Sequence, residues 1–288
     1  MAKGVAWISG ASSGLGLHTA LALSREGFTV IAGARSFSSD SSMGENGMIR
    51  LHLDVTRGDS IQRFAQDALA IVPRVDILVN CAGVLVLGSC EETSKEEFQH
   101  VMETNFFGTA AMIQAALPVM RKQRYGRIVN FSSINGLLGI PFQSAYTASK
   151  HAIEGYSECL AMEVAPFGVQ VCLVEPGDHR SGAAAYRKHA RNMDANSPYN
   201  NHFLRGTAVI SHDEENGSDP DRLGRKVARL VSRRRMPFRF RVAKIDQHLA
   251  VLLHIFFPAR AFQCILTQYY LGKGDTKHAK KESDLDAQ

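Results

Sequence analysis

The chain has 288 residues, enough for one α/β core with terminal elaborations and cramped for two full domains. Its 45% hydrophobic and 21% charged content argues against disorder and against a fibrous class. A formal net charge of +5 suits an anionic partner, and a small cofactor with several phosphates meets that need as well as nucleic acid does, so no nucleic-acid partner is expected.

In chain order, the apolar residues 5–8 run into Ser9-Gly10 too soon for the hydrophobic region of a signal peptide and read as a first strand. Further strands are expected over residues 29–34, 49–54, 77–80, 127–131 and 170–175. Helix-like stretches over 15–26, 60–71, 95–120 and 144–165 separate them. This alternation predicts right-handed βαβ units in an α/β fold, a doubly wound parallel sheet with ligands bound beyond the carboxyl ends of the strands. After Gly177 the pattern lapses: about 178–221 shows no clear strand and reads as a substrate loop, followed by a helix-like 221–233. Residues 245–271 read as a helical extension broken at Pro258, and 272–288 as a disordered polar tail.

Cys81, Cys90, Cys159, Cys172 and Cys264 are scattered, with no CxxC and no metal-ligand spacing, which predicts reduced thiols, no metal and a cytoplasmic setting. The apolar run 249–258 is too short to span a bilayer, so no transmembrane span is expected, while peripheral membrane contact stays open.

Ser9-Gly10-Ala11-Ser12-Ser13-Gly14-Leu15-Gly16 lies between the first strand and the first helix. Glycines there allow a tight turn and close approach of a pyrophosphate, and the helix start offers free amides and the positive end of its dipole. A plain Gly/Ser turn is the alternative, and its position after the first strand speaks against that. Ala34-Arg35 ends the second strand. A carboxylate there would take the ribose hydroxyls of NAD, whereas a guanidinium pairs with the 2′-phosphate of NADP, so Arg35 argues for NADP(H).

The GxxxGxG spacing resembles the turn of the short-chain dehydrogenases/reductases, with Ser9 where that family usually has Thr. The resemblance implies a Rossmann-type single domain over residues 1–244 and cofactor contacts from Gly10, Ser12, Ser13, Gly14, Leu15 and Gly16. Asp54-Val55 resembles the family's adenine-contacting pair, and Asn80-Cys81-Ala82-Gly83 its Asn-Asn-Ala-Gly element, with Cys81 replacing the second Asn. Asn80, Ala82 and Gly83 are then expected to support the central strand and face the cofactor. Pro176-Gly177 and Ser181 resemble the stretch that passes the nicotinamide. His179 stands where the family often has an aliphatic residue; it reads as a substrate contact or a solvated loop residue, and the solvated loop residue is the expectation.

The sharpest signal is Tyr146-Thr147-Ala148-Ser149-Lys150, with Ser133 thirteen residues before the tyrosine and Asn105 earlier still. The i, i+4 spacing puts Tyr146 and Lys150 on one helix face, where the ammonium is expected to lower the phenol's pKa from about 10. The resemblance implies Tyr146 as proton-transfer residue, Ser133 holding the substrate oxygen, Lys150 on the nicotinamide ribose and Asn105 positioning a water. Tyr146 and Lys150 also count among the expected cofactor contacts.

Apolar residues border the tyrosine, in Gly136-Leu137-Leu138-Gly139-Ile140-Pro141-Phe142 and in Leu85-Val86-Leu87, and suit a lipophilic substrate. The resemblance is nearest to the hydroxysteroid and retinol dehydrogenase branch. It implies a ketone/secondary alcohol oxidoreductase acting on a hydroxysteroid or bile acid, in a homodimer or homotetramer. Alternatives are a reductase of an acyl, sugar or xenobiotic carbonyl, a non-catalytic NADP(H) sensor or scaffold, and anionic-surface binding through Arg233-Arg234-Arg235 with Arg239 and Arg241.

Overall fold

The computed structural model describes residues 3–38, 42–44, 47–182 and 187–272, so the expectation for the tail beyond Gly272 lies outside the described residues. The first half runs β1 (Val5–Ser9), α1 (Gly14–Arg25), β2 (Thr29–Ala34), β3 (Ser42–Met43), β4 (Ile49–His52) and α2 (Gly58–Ile71). It continues with β5 (Ile77–Asn80), β6 (Val86–Leu87), α3 (Lys95–Met102), α4 (Gly108–Gln123), β7 (Gly126–Phe131) and α5 (Ser144–Val164). The second half holds β8 (Val169–Pro176), β9 (Lys188–His189), α6 (Asn200–Glu215), α7 (Pro220–Val231), β10 (Arg239–Val242), α8 (Ile245–Phe256) and α9 (Ala259–Leu271).

The main sheet has the order β10-β8-β7-β5-β1-β2-β4-β3, parallel throughout except for β3. Every residue of β1, β5 and β7 is buried, the signature of strands covered by helices on both faces rather than of a half-solvated sheet. Each face has its own apolar layer, one built on Ile8, Leu23 and Val227, the other on Trp7, Phe64 and Met112. On the first face α7 lies directly on α1, because Gly224 has no side chain: a Cβ there would sit 2.4 Å from the His18 carbonyl oxygen. Asp219 caps α7 by accepting from the Asp221 amide at 3.0 Å, with Pro220 in the first turn.

Two parts of the second half differ from expectation. The segment after Gly177 is not devoid of regular structure: it holds α6 and the short β9, which pairs with β6. Phe203, Gly206 and Ile210, spaced at helical intervals, form α6's buried face. A further parallel strand, β10, closes one edge beside β8. Its alternating arginines are neutralised from within: Arg239 pairs with Glu154, with Glu158 at 2.7 Å and with Glu175 at 2.9 Å, and Arg241 pairs with Glu175 at 2.9 Å. This corrects the reading of one basic surface run, since only Arg233, Arg234 and Arg235 remain exposed. The break at Pro258, between α8 and α9, falls where the proline predicts it.

The expected helix over 95–120 is also interrupted, by a π-turn at Glu103–Phe107. Within this turn Thr104 and Asn105 are buried.

Candidate active site

Beyond the carboxyl ends of β1, β5, β7 and β8 lies a cleft lined at one end by Gly10, Ser13, Gly14, Leu15 and Gly16 and at its centre by Ser133, Tyr146 and Lys150. The turn is shaped by close packing: a Cβ on Gly16 would lie 2.2 Å from the Gly10 carbonyl oxygen. Gly10 itself, at φ +72°, packs so tightly on Ala82 that a Cβ would come within 2.7 Å of its backbone. Ser9 sits under the loop, its hydroxyl accepting from the amides of Cys81 at 3.3 Å and Ala82 at 3.4 Å. The helix that follows has no side-chain cap and no acid in its first turn, so its free amides and positive dipole end open onto the cleft.

Tyr146 and Lys150 rise from the first turns of α5. Burial pushes the Tyr146 phenol up to about 12, against a hydrogen bond with Ser133 that pulls the other way. Burial also pulls the Lys150 ammonium down to about 8. Its Nζ donates to the Phe131 carbonyl at 2.7 Å and lies 5.5 Å from the centre of the Tyr146 ring. The lysine therefore touches the ring rather than the hydroxyl, and the expected lowering of the phenol's pKa is not present in this arrangement. Ser133 Oγ accepts from the Asn135 amide at 3.2 Å, whereas the Ser132 hydroxyl serves the Glu154 carboxyl, which leaves Ser133 as the hydroxyl facing Tyr146.

Asn105 lies beneath this group. Its Nδ2 donates to the Val84 carbonyl at 3.0 Å and to Ser149 Oγ at 2.9 Å, while Oδ1 accepts from the Val84 amide at 2.8 Å. Its backbone carbonyl accepts from the Thr109 hydroxyl at 2.7 Å. The side chain ties the loop after β5 to α5.

The other expected cofactor residues divide. Gly83, Pro176, Gly177 and Ser181 line the cleft, as does Cys81. Asn80 turns inward, donating to Asn130 at 2.9 Å and so joining β5 to β7, and Ala82 backs Gly10. Arg35 and Ser12 are exposed beside the cleft rather than in its lining. Asp54 accepts from the Thr56 amide at 3.0 Å and hydroxyl at 2.8 Å. Burial opposes its ionisation, but these bonds and the charges of Arg35 and His52 hold its carboxyl below the usual range. Val55 is buried against Gly108.

His179 is not a solvated loop residue. It is buried in the cleft wall, with Nδ1 at 2.8 Å from the Gly177 carbonyl, and burial lowers its pKa. A polar group that sequence reasoning missed completes the far end: Asp178, Arg187, Asp213, Glu214 and Tyr270. Most of it comes from α6 and α9, whose approach to the cleft leaves no local motif. Burial, with the nearby charges of Asp213 and Glu214, raises the Asp178 carboxyl to about 6. A carboxyl raised on folding favours the folded chain when protonated, so this contribution is full below about pH 3.8 and is lost as pH rises through about 6. Asp178→Asn keeps the acceptor for Gln247 and removes the half-buried charge. Its Tm is expected to exceed the parent's by a few degrees at pH 8 and to match it near pH 4. An equal gain at both pH values, in calorimetry, would locate the cause elsewhere.

Against this geometry, the family profile described as short chain dehydrogenase matches residues 4–192. The chain belongs to the short-chain dehydrogenase/reductase family. A 3-ketodihydrosphingosine reductase of Bacteroides thetaiotaomicron is 40% identical over 264 residues, covering 91% of this chain and 96% of that one. Human retinol dehydrogenase 8 is 38% identical over 180 residues, 59% of this chain and 57% of the relative. A solved short-chain dehydrogenase of Streptomyces avermitilis superposes with a TM-score of 0.78 at 31% identity, over 93% of this chain and 97% of its own. This short-chain dehydrogenase/reductase is thus an oxidoreductase with the Rossmann-type sheet of its family. Among the described residues no helix is long and apolar enough to cross a membrane, and no group of His, Cys, Asp and Glu has a metal-binding arrangement.

Proposed function

We propose that this protein is an NADP(H)-dependent reductase of a ketone on a lipophilic substrate, with Tyr146 as proton donor. The observation that carries the reading is the meeting, in one cleft, of an uncapped helix N-terminus at the Gly10–Gly16 turn with the hydrogen-bonded pair Ser133 and Tyr146. The turn fits a dinucleotide: its glycines admit close backbone approach, the free amides of α1 would hold a pyrophosphate, and the exposed Arg35 would pair with a 2′-phosphate. Bound NADPH supplies the reducing equivalents for the carbonyl carbon.

The chain's own residues do the rest. Ser133 holds the substrate oxygen and Tyr146, kept protonated by burial at neutral pH, gives it a proton, so the phenol is poised for reduction. Lys150 would hold the nicotinamide ribose, and Asn105 acts as a positioning residue that fixes Val84 and Ser149. Leu85, Ile134, Ile140 and Ile210 give the substrate end an apolar wall, with Asp178, Asp213 and Glu214 as its polar limit. An apolar wall with charged groups at one end suits a chain lipid with a polar head better than the steroid or bile acid expected from sequence. The name of the Bacteroides relative, a reductase of 3-ketodihydrosphingosine, supports a keto-lipid.

The test pairs NADPH and NADH with a panel of keto-lipids, steroids and small ketones, read by loss of reduced-cofactor absorbance. NADPH-dependent turnover fastest on keto-lipids is expected. Arg35→Asp should cut NADPH affinity by about tenfold or more and leave NADH no worse, since a carboxylate repels the 2′-phosphate. Equal affinity of the parent for both cofactors would overturn the NADP(H) assignment.

A further inference from the structure

We infer that Glu154, one helical turn beyond Lys150 on α5, is a positioning residue for the reaction: its carboxylate is the counter-charge that keeps Lys150 a cation in the cofactor cleft. The inference rests on the reading of Lys150 as partner of the nicotinamide ribose. Tyr146, Lys150 and Glu154 follow one another at i, i+4 and i+8, one stripe of the helix. A glutamate is rarely buried, because its charge is costly to withdraw from water unless it is paired, yet Glu154 is only 6% exposed. Gly136 makes room for it: a Cβ there would lie 2.4 Å from Ser132 Oγ and 3.1 Å from Glu154 Oε1.

A purely structural role would be to anchor β10. Arg239 does reach Glu154 Oε2, but the same guanidinium takes Glu158 at 2.7 Å and Glu175 at 2.9 Å, while Arg241 takes Glu175 at 2.9 Å. Two arginines thus serve three carboxylates. Oε1 of Glu154 is left buried, with no close hydrogen-bond partner beyond the loose approach of the Ser132 hydroxyl. The opposite need stands one turn away. Lys150 is buried, and its Nζ donates to a neutral carbonyl, that of Phe131. The titratable groups facing it are Tyr146 on its own helix, Cys81 from the loop after β5, and Glu154. Burial pushes the Tyr146 phenol and the Cys81 thiol both up to about 12, so neither is charged where the lysine titrates, near 8. Glu154 is the one of the three left to supply a negative charge. Burial raises its carboxyl, as does Glu175, but the Ser132 hydrogen bond and the charge of Arg239 act to keep it ionised. Across one helical turn in a water-poor interior, opposite charges attract far more strongly than on a surface.

The test is the pH dependence of cofactor binding by the substrate-free protein, followed by reduced-cofactor fluorescence with whichever of NADPH and NADH the parent binds. In the parent, affinity should fall as pH rises through about 8. Glu154→Gln keeps the shape and an acceptor for Arg239 but removes the charge, so the fall should move by about one unit to lower pH. Affinity should then match the parent's near pH 6 and be about fivefold weaker near pH 8. Glu158→Gln, which takes a more exposed carboxylate from the same arginine, should leave the profile in place. In a Lys150→Met background, Glu154→Gln should not move the profile, because the group it acts through is gone. An unmoved profile in Glu154→Gln alone, or an equal shift in Glu158→Gln, would overturn the inference while the ribose reading stands. A parent whose affinity is flat through pH 8 would overturn both. If Glu154→Gln does not fold, the pairing requires that Lys150→Met/Glu154→Gln does; failure of both to fold would assign Glu154 to anchoring β10 and overturn the proposal.

Discussion

Tyr146→Phe is expected to lower turnover by about 10²–10⁴-fold, the range for loss of a general acid, with Tm and cofactor affinity close to the parent's. The ring stays in its place at the start of α5, and Lys150 keeps its contact with the ring face and its bond to the Phe131 carbonyl. Ser133 loses the phenol but retains the Asn135 amide, so no buried hydroxyl is orphaned. What disappears is the proton. Steady-state rates with NADPH and any reducible ketone decide the matter, because a variant retaining more than about a tenth of the parent turnover would place the proton on another group.

Lys150→Met is expected to separate function from stability. Cofactor affinity should fall by about tenfold or more, and turnover by about 10²-fold, because the ribose loses its cation while the side chain keeps its length and apolar stem. Stability moves the other way. Burial drives the Lys150 pKa from 10.5 to about 8, so the folded chain bears the cost of a desolvated ammonium in full below about pH 8 and is relieved of it by pH 10.5. The Tm of the cofactor-free variant should therefore exceed the parent's at pH 7, and the gap should close toward pH 10.5. In the parent, cofactor binding should weaken as pH rises through about 8, and in the variant it should be flat across that range. A variant both less stable at pH 7 and unchanged in cofactor affinity would assign the lysine a purely structural place.

Much of the site could be read from the chain because its signals are local. The turn from Ser9 to Gly16 spans one strand end and one helix start, and Tyr146 and Lys150 share a helix face by spacing alone. The π-turn at Asn105 was not legible: a helix-like pattern runs through residues 95–120, and only tertiary packing selects the extra residue in the turn. Strand β10 was hidden for an electrostatic reason. Its Arg-Phe-Arg-Val sequence reads as surface until the buried Glu175, sixty-odd positions earlier, is placed between the two guanidinium groups. The polar end of the cleft was hidden by distance as well, since Asp178, Asp213 and Tyr270 have no common spacing and meet only through the packing of α6 and α9. His179 looked solvated because a histidine in a Gly-rich loop carries no sign of burial.

The contact at Gly177 bears on how such a protein diversifies. A Cβ on Gly177 would lie 1.9 Å from Gln247 Oε1, and the amide of the same glutamine donates to Asp178, so the start of α8 is seated directly on the loop that leaves β8. The stretch matched by the family profile ends at residue 192, and it supplies the glycine turn, Ser133, Tyr146 and Lys150. Asp213, Glu214, Gln247 and Tyr270, which shape the far wall, all come after it. Substitutions at these later positions can thus reshape what enters the cleft while the glycine turn, Ser133, Tyr146 and Lys150 stay as they are, and Gly177 is where the two parts pack against each other.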